Sequence, residues 1–567
     1  MGRHALRSLT MHFNRFCLIM ALGAASMPAA EVRLPGIFGD HMVLQQGRRI
    51  PVWGWADAGA TISVSLGTDT VTAVTDAGGK WRADLPAAVA TAQAQRLTVV
   101  GKNTVVFEDV LVGDVWLCSG QSNMEFGVLN ITKLVELTNP QIRVFCLTKT
   151  ASLTPMDDTM RVPKELVWDT STGYWSTTAN AGPWGGFSAV GYLFGQQIQA
   201  LTGKPVGLIG SHWGGTPIQA WTSLPALDRS PALAAAVKQV RGLSPQQQAR
   251  YPVVWATYVA AMRKWSAEVW EPDQVILRTW EAATKLAQSN GTPLPPKPQP
   301  SGQRPNPPGN ENCPTTLFNA MINPLIPYAL KGVIWYQGEA NVGTHDYSEM
   351  LTALIGDWRG RWGQGDFPFL LVQLAGYGPG PTDGTRGRWA ALRAEQAKVL
   401  ALPNTGMAVA IDVGEATDIH PHNKFAVAQR LSLVARKVAY GQEVVASGPM
   451  FSAMAVEGEN LRLTFTGCGG GLQRAAPPAM PGSAPAPIAA ELLGFEIAGA
   501  DQTWFRATAM IDGSSVVVAC DQVAAPVAVR YAWGDIPACN LYNREGLPAV
   551  PFRTDAWDAK AAFATPK

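Results

Sequence analysis

The chain has 567 residues, 16% of them charged, with 45 Lys and Arg against 43 Asp and Glu. That length exceeds what one hydrophobic core usually serves, so about two to four domains are expected. The near balance of charge offers no broad electropositive surface for nucleic acid or for an anionic membrane, and neither is expected as a partner.

Residues 1–30 read as a secretory signal: Arg3, Arg7 and Arg15, an apolar run from Phe16 to Ala25, then small residues up to Ala29-Ala30 before Glu31. The apolar run is too short for a permanent anchor, and Arg15-Phe16 argue against lipidation at Cys17. An exported protein without a membrane anchor, periplasmic or extracellular, is expected. Cys118, Cys146, Cys313, Cys468, Cys520 and Cys539 are widely scattered. They show no disulfide framework and no CxxC metal spacing, so no metal or other cofactor is expected.

From residue 31 to about 108 the sequence alternates in the β manner, as in Pro51-Val52-Trp53-Gly54-Trp55 and Thr61-Ile62-Ser63-Val64-Ser65-Leu66, and predicts a small β-sandwich. Residues 109–445 alternate strands with helices, the pattern of an α/β domain with parallel strands. Its strands are predicted at 110–117, 205–210, 332–336, 369–372 and 407–411, and its helices at 187–202 and 425–440. An insertion at about 226–312 is helical, then proline-rich between Pro293 and Pro308, and reads as a flexible segment. Residues 446–567 return to β patterning, interrupted by a Pro/Ala-rich loop near 475–490.

The chemistry centres on Cys118-Ser119-Gly120-Gln121-Ser122-Asn123-Met124, which follows a buried strand and opens a helix. That arrangement lifts a small nucleophile, Ser122, to the carboxyl edge of a sheet beside free backbone N–H groups. The same Ser also fits a helix cap. Beyond residue 30 the possible bases are His41, His212, His345, His420 and His422. His41 reads as structural, His212 as a packing residue near the site, and His345 as a lesser candidate to line a cleft. His420 stands out, because Pro421 holds it in extended backbone and Asp418, two residues before, can reach its Nδ1. With His422 the pair is half of a metal site, but further ligands at workable spacing are missing. Gly214-Gly215-Thr216, Gln337 and the N–H of Ser122 are candidate oxyanion donors, all at strand ends.

Four segments resemble the sialate O-acetylesterase family of SGNH hydrolases, in the family's order: Gly120-Gln121-Ser122-Asn123-Met124, Trp213-Gly214-Gly215-Thr216-Pro217-Ile218, Trp335-Tyr336-Gln337-Gly338-Glu339-Ala340-Asn341 and Asp418-Ile419-His420-Pro421. Similarity extends to Asp40-His41-Met42-Val43-Leu44-Gln45 at the front and Asn540-Leu541-Tyr542-Asn543 at the back. The resemblance implies an SGNH three-layer α/β fold with flanking N- and C-terminal β modules. It also implies removal of O-acetyl groups from sugars by Ser122, His420 and Asp418, with Gly215 and Gln337 in the oxyanion hole and Gly214 and Glu339 in support. Gln337 stands where the usual oxyanion Asn would be, and Glu339 competes with Asp418 as partner of His420. Acetylated sialic acid and plant hemicellulose (acetylated xylan or xyloglucan) both fit as substrate, and twenty tryptophans suit stacking on sugar rings. The reading from another class is an inactive secreted carbohydrate-binding protein.

Overall fold

The computed structural model describes residues 31–159, 175–180, 185–242, most of 257–305, 311–344, 346–378 and 387–557. The signal sequence expected at 1–30 and the candidate His345 lie outside the described residues.

The first strands are β1 (Val43–Gln45), β2 (Ile50–Trp55), β3 (Thr61–Leu66), β4 (Asp69–Val74), β5 (Lys80–Leu85) and β6 (Thr91–Val100). β2 pairs antiparallel with β5, while β3 pairs with β4 and β6. Their alternation has the expected cause: Ile62, Val64 and Leu66 point into the core while Ser63 and Ser65 stay half-exposed. The turn at Asp76 is closed by its carboxylate, which accepts from the N–H groups of Gly78 and Lys80 at 2.8 and 2.9 Å.

β7 (Thr104–Gly120) is one 17-residue strand that runs through the expected boundary at 108/109. Its first residues alternate between half-buried and exposed, and from Val110 onward every residue is buried. The same strand thus begins with one wet face and ends as a central strand covered on both. Its buried half lies between β10 (Val206–His212) and β11 (Gly332–Tyr336), in parallel with each. β12 (Phe369–Gln373) and β13 (Thr405–Val409) extend the sheet beyond β11, and β8 (Ile142–Cys146) and β9 (Trp175–Ser176) extend it beyond β10. All these neighbours are parallel except β9, which runs antiparallel to β8.

The helices that position the site are α1 (Ser122–Glu125), α2 (Ala189–Thr202), α3 (Tyr347–Trp362), α4 (Arg388–Lys398) and α5 (Lys424–Val438). α2 begins where Ser188 Oγ accepts from the Gly191 N–H at 3.0 Å and ends at Gly203 in the left-handed region. α2 packs on α5, and α3 packs on α4. Tryptophans fill much of this core: Trp335 meets Trp221 and Trp358 edge-on at ring separations of 6.2 and 5.8 Å. In the insertion, helices span Ala234–Arg241 and Glu271–Asn290, and the proline-rich stretch returns to the second of them, where Trp280 Nε1 donates to the Pro295 carbonyl at 2.9 Å. Two four-stranded sheets and a two-stranded ladder make up the region from Met450 to Arg553, and 475–490 carries no strand. Among the described residues, Cys118, Cys146, Cys313, Cys468, Cys520 and Cys539 form no disulfide.

Asp114, 1% exposed in the middle of β7, joins three parts of the chain. One carboxylate oxygen accepts from Gln45 and Gln46 Nε2 at 3.3 and 2.9 Å, and the other from the Tyr440 hydroxyl at 2.8 Å. Asp114→Ala strands these donors, at about 1–3 kcal/mol for the buried Gln45 amide and less for the half-buried Gln46 and Tyr440. Chemical denaturation should show a clear loss of stability with kcat per folded molecule unchanged; unaltered stability would contradict the role.

Candidate active site

β7 ends at Gly120 with φ +134°, where a Cβ would lie 2.1 Å from the Tyr336 carbonyl oxygen. Only glycine fits between the two neighbouring strand ends. Gln121 then takes extended backbone as N-cap, and Ser122 opens the four-residue α1. Ser122 is half-buried. Its N–H and that of Asn123 have no carbonyl partner among the described residues, because the first turn is closed by Met124 and Glu125, whose N–H groups donate to the Gln121 carbonyl at 2.9 Å.

The Gly214-Gly215 turn follows β10 and lies against Ser122: a Cβ at Gly214 would sit 3.1 Å from Ser122 Cβ. Its N–H donates to Glu125 Oε2 at 2.7 Å, and Glu125, 3% exposed, also pairs with Lys149. Gly214 is therefore a spacer whose donor is already used. Gly215 has φ +75° and open space where a side chain would stand, and its N–H has no partner among the described residues. It is free to meet an oxyanion.

Gln337 departs from expectation. It is fully buried, and its amide nitrogen faces Asn341 Oδ1 at 2.7 Å and the Gln121 Oε1 and Thr216 carbonyl oxygens at 3.2 Å each. Its amide oxygen accepts from the Tyr347 hydroxyl at 2.6 Å. With two N–H bonds to share among three acceptors, nothing remains for a substrate oxygen. The geometry is that of a brace tying the nucleophile turn, the Gly214-Gly215 turn and α3 together.

His420 and Asp418 lie on the loop before α5. Asp418 Oδ1 accepts the His420 backbone N–H at 2.8 Å and stands 3.7 Å from the imidazole Nδ1, longer than a hydrogen bond. Such contacts commonly tighten in the reacting complex. Burial and the nearby Lys424 lower the His420 pKa against the opposing pull of Asp418 and Glu125, which favours the neutral imidazole that can take a proton. Glu339 makes a different contact: its Oε1 accepts from Asn123 Nδ2 at 2.5 Å, and burial raises its pKa.

Asn123 connects the two halves of the site. Besides Glu339, its Nδ2 donates to the Ile419 carbonyl at 2.9 Å, so the residue after the nucleophile holds the residue before the base. Its Oδ1 accepts from Lys424 Nζ at 2.5 Å. Lys424 is fully buried, and the loss of water lowers its pKa to about 7.

The other described histidines make no hydrogen bond to these residues that would place them in the arrangement. His41 pairs with Asp109 at 2.7 Å in the N-terminal module. His212 is buried at the end of β10, with neither ring nitrogen hydrogen-bonded among the described residues, and burial holds its pKa down to about 4. His422 Nδ1 lies 3.2 Å from Glu415, and its ring meets Phe126 edge-on. Ligand atoms of Glu415, Asp418 and His422 lie within 4.8 Å of one another, close enough to share a cation. Ion pairing within the loop accounts for the same cluster, so it makes no metal site by itself. Sequence reading assigned no role to Asn123, Glu125, Lys149 or Lys424. Asn123 sits inside the nucleophile motif, but nothing in the spacing of the other three marks them.

The model for the carbohydrate esterase, sialic acid-specific acetylesterase family matches residues 112–249 and 310–435, which contain every residue of this constellation. The sialate O-acetylesterase of Rattus norvegicus is 32% identical over 469 residues, 76% of this chain and 78% of that protein. That of Mus musculus is 30% identical over 573 residues, 92% of this chain and 94% of that protein. Among solved structures, a carbohydrate acetylesterase from Xanthomonas citri aligns with a TM-score of 0.71 and 36% identity, over 93% of this chain and all of that one. The fold is thus a mixed α/β one built on a central sheet, and the protein is an ester hydrolase. It belongs to the sialic acid-specific acetylesterase family of carbohydrate esterases.

Gln337→Ala separates a brace from an oxyanion donor. Loss of the brace should lower Tm by several degrees and reduce activity in step with the folded fraction. A variant of unchanged Tm that loses about 10²–10³ in kcat would restore the donor role.

Proposed function

We propose that the protein is an exported serine esterase that removes O-acetyl groups from sugars. Ser122 Oγ attacks the acetyl carbonyl while His420 takes its proton and Asp418 steadies the imidazolium. The tetrahedral oxyanion is held by the N–H groups of Ser122 and Gly215. Collapse releases the sugar hydroxyl, which leaves with the proton from His420. Water, deprotonated by His420, then cleaves the acetyl-serine to acetate. The observation that carries this reading is the Asn123 bridge, which ties the turn of Ser122 to the loop of His420.

An SGNH-type three-layer arrangement is part of the proposal. It is supported by the register Ile334↔Cys118 and Trp335↔Ser119, in which side chains alternate across the sheet. Cys118 Sγ lies against α2 at Gly191, whereas Trp335 packs on Trp358 of α3, so the two helices cover opposite faces. Export rests on the signal-like residues 1–30. Mass spectrometry of secreted protein beginning at Glu31 would support it, and an intact Met1 on secreted protein would count against it.

The names of the curated relatives favour an acetylated sialic acid as substrate. A second reading, a neutral acetylated hemicellulose, has its own support. A sialate carboxylate calls for a cation, and Lys149 and Lys424, which lie against the nucleophile turn, are engaged by Glu125 and Asn123. Acetate release from acetylated sialic acid and acetylated xyloglucan, measured side by side, decides between them.

Ser122→Ala and His420→Ala should each lower kcat by about three or more orders of magnitude on either substrate and on p-nitrophenyl acetate, with the fold intact. EDTA should leave turnover unchanged. A folded variant retaining more than about a tenth of wild-type kcat would remove that residue from the mechanism.

A further inference from the structure

Asn123 meets a lysine at one end of its side-chain amide and a glutamate at the other. Lys424 Nζ donates to the amide oxygen, and the Glu339 carboxylate accepts from the amide nitrogen, each at 2.5 Å. An amide flanked by neutral groups can turn over, because its oxygen and nitrogen are nearly equal in size and shape. Here a flip would set NH₂ against an ammonium and C=O against a carboxylate.

Both charges are held at a cost. Lys424 is fully buried as the first residue of α5, with its Nζ 4.9 Å from the Phe126 ring centre and 5.5 Å from that of Tyr336. Glu339 Oε2 is buried without a hydrogen-bond partner among the described residues. Each favours the charged form of the other across Asn123. A buried pair of this kind adds little stability over an apolar replacement, and the group both members hold is the Asn123 amide.

We propose that Lys424 and Glu339 are positioning residues that fix the Asn123 amide in one orientation, so that its Nδ2–H holds the Ile419 carbonyl, and with it the His420 loop, against the Ser122 turn. The proposal rests on the Ser122–His420 reading above. Without the lock, the amide turns its oxygen toward the Ile419 carbonyl and pushes the base loop away. Displacement of a reacting group by about 1 Å is enough to cost about 10²-fold in rate.

The test uses the full chain with Lys424→Met, Glu339→Gln and their double variant, Asn123→Asp, and Ser122→Ala as reference. Lys424→Met keeps an unbranched side chain in the same space. It should lower kcat about 10²-fold with KM within about twofold and a Tm that still reports a folded protein. Adding Glu339→Gln should lower kcat little further, because both act through one amide. A Lys424→Met kcat within about threefold of wild type, or losses that multiply in the double variant, would overturn the proposal. Should Lys424→Met fail to fold, Asn123→Asp carries the same test: it keeps the shape but removes the donor to Ile419, and wild-type kcat there would be equally fatal. Failure of the underlying reading looks different, since Ser122→Ala would then stay active whatever Lys424→Met does.

Discussion

The narrow gap between the end of β7 and the Tyr336 carbonyl decides where the nucleophile can be. Any side chain at residue 120 would sit 2.1 Å from that oxygen, so β7 and β11 must close on a glycine. That closure lets the Gln121 N–H donate to Tyr336 at 3.0 Å and turns the chain sharply into Ser122. On the other side the Trp213 N–H reaches the Gly120 carbonyl at 3.1 Å, which draws the Gly214-Gly215 turn to the same edge. Nucleophile and candidate oxyanion donor are thus neighbours because three parallel strands end at one level, where open α/β sheets commonly bind ligands.

A layer of buried polar groups fixes this edge. Glu125 reaches back from α1 to the Gly214 N–H and holds Lys149, Gln337 spans Gln121, Thr216 and Asn341, and Asn123 spans Glu339, Ile419 and Lys424. Each of these links residues far apart in sequence, and most of their polar atoms are matched. A network satisfied to this degree is rigid, and rigidity is what an acyl-transfer site needs if its donors are to meet charge without reorganising.

The strands at 332–336 and 369–372, the helices near 187–202 and 425–440, and the polar loops after them were legible because their patterns are local. Apolar runs, a glycine stop and a proline act within a few residues of where they stand. The continuity of β7 through 108/109 was not legible, because a strand leaving a half-wet sheet for a buried one changes its pattern as a domain boundary would. The hydrogen bonds of Gln337 were not legible for another reason: a buried amide and an oxyanion donor occupy the same strand end, and the partners Asn341, Thr216 and Tyr347 come from the fold. Lys424 reads as an ordinary residue at a helix start, and its burial depends on Phe126 and Tyr336, about 300 and 90 residues away in sequence. Ser122, Gly215, Asp418 and His420 were named from motif chemistry, and the structure sets Ser122 at the start of α1 and the other three on loops tied to that helix through Asn123 and Glu125.

In this mechanism Ser122 Oγ is the atom that takes the acetyl group. Exposure to a fluorophosphonate that reacts with activated serines, followed by peptide mass spectrometry, addresses it directly. One adduct should form, on the peptide carrying Ser122, with loss of activity in proportion, and His420→Ala should label far more slowly. Full inactivation with Ser122 unmodified and the adduct on another residue would rule Ser122 out as the nucleophile.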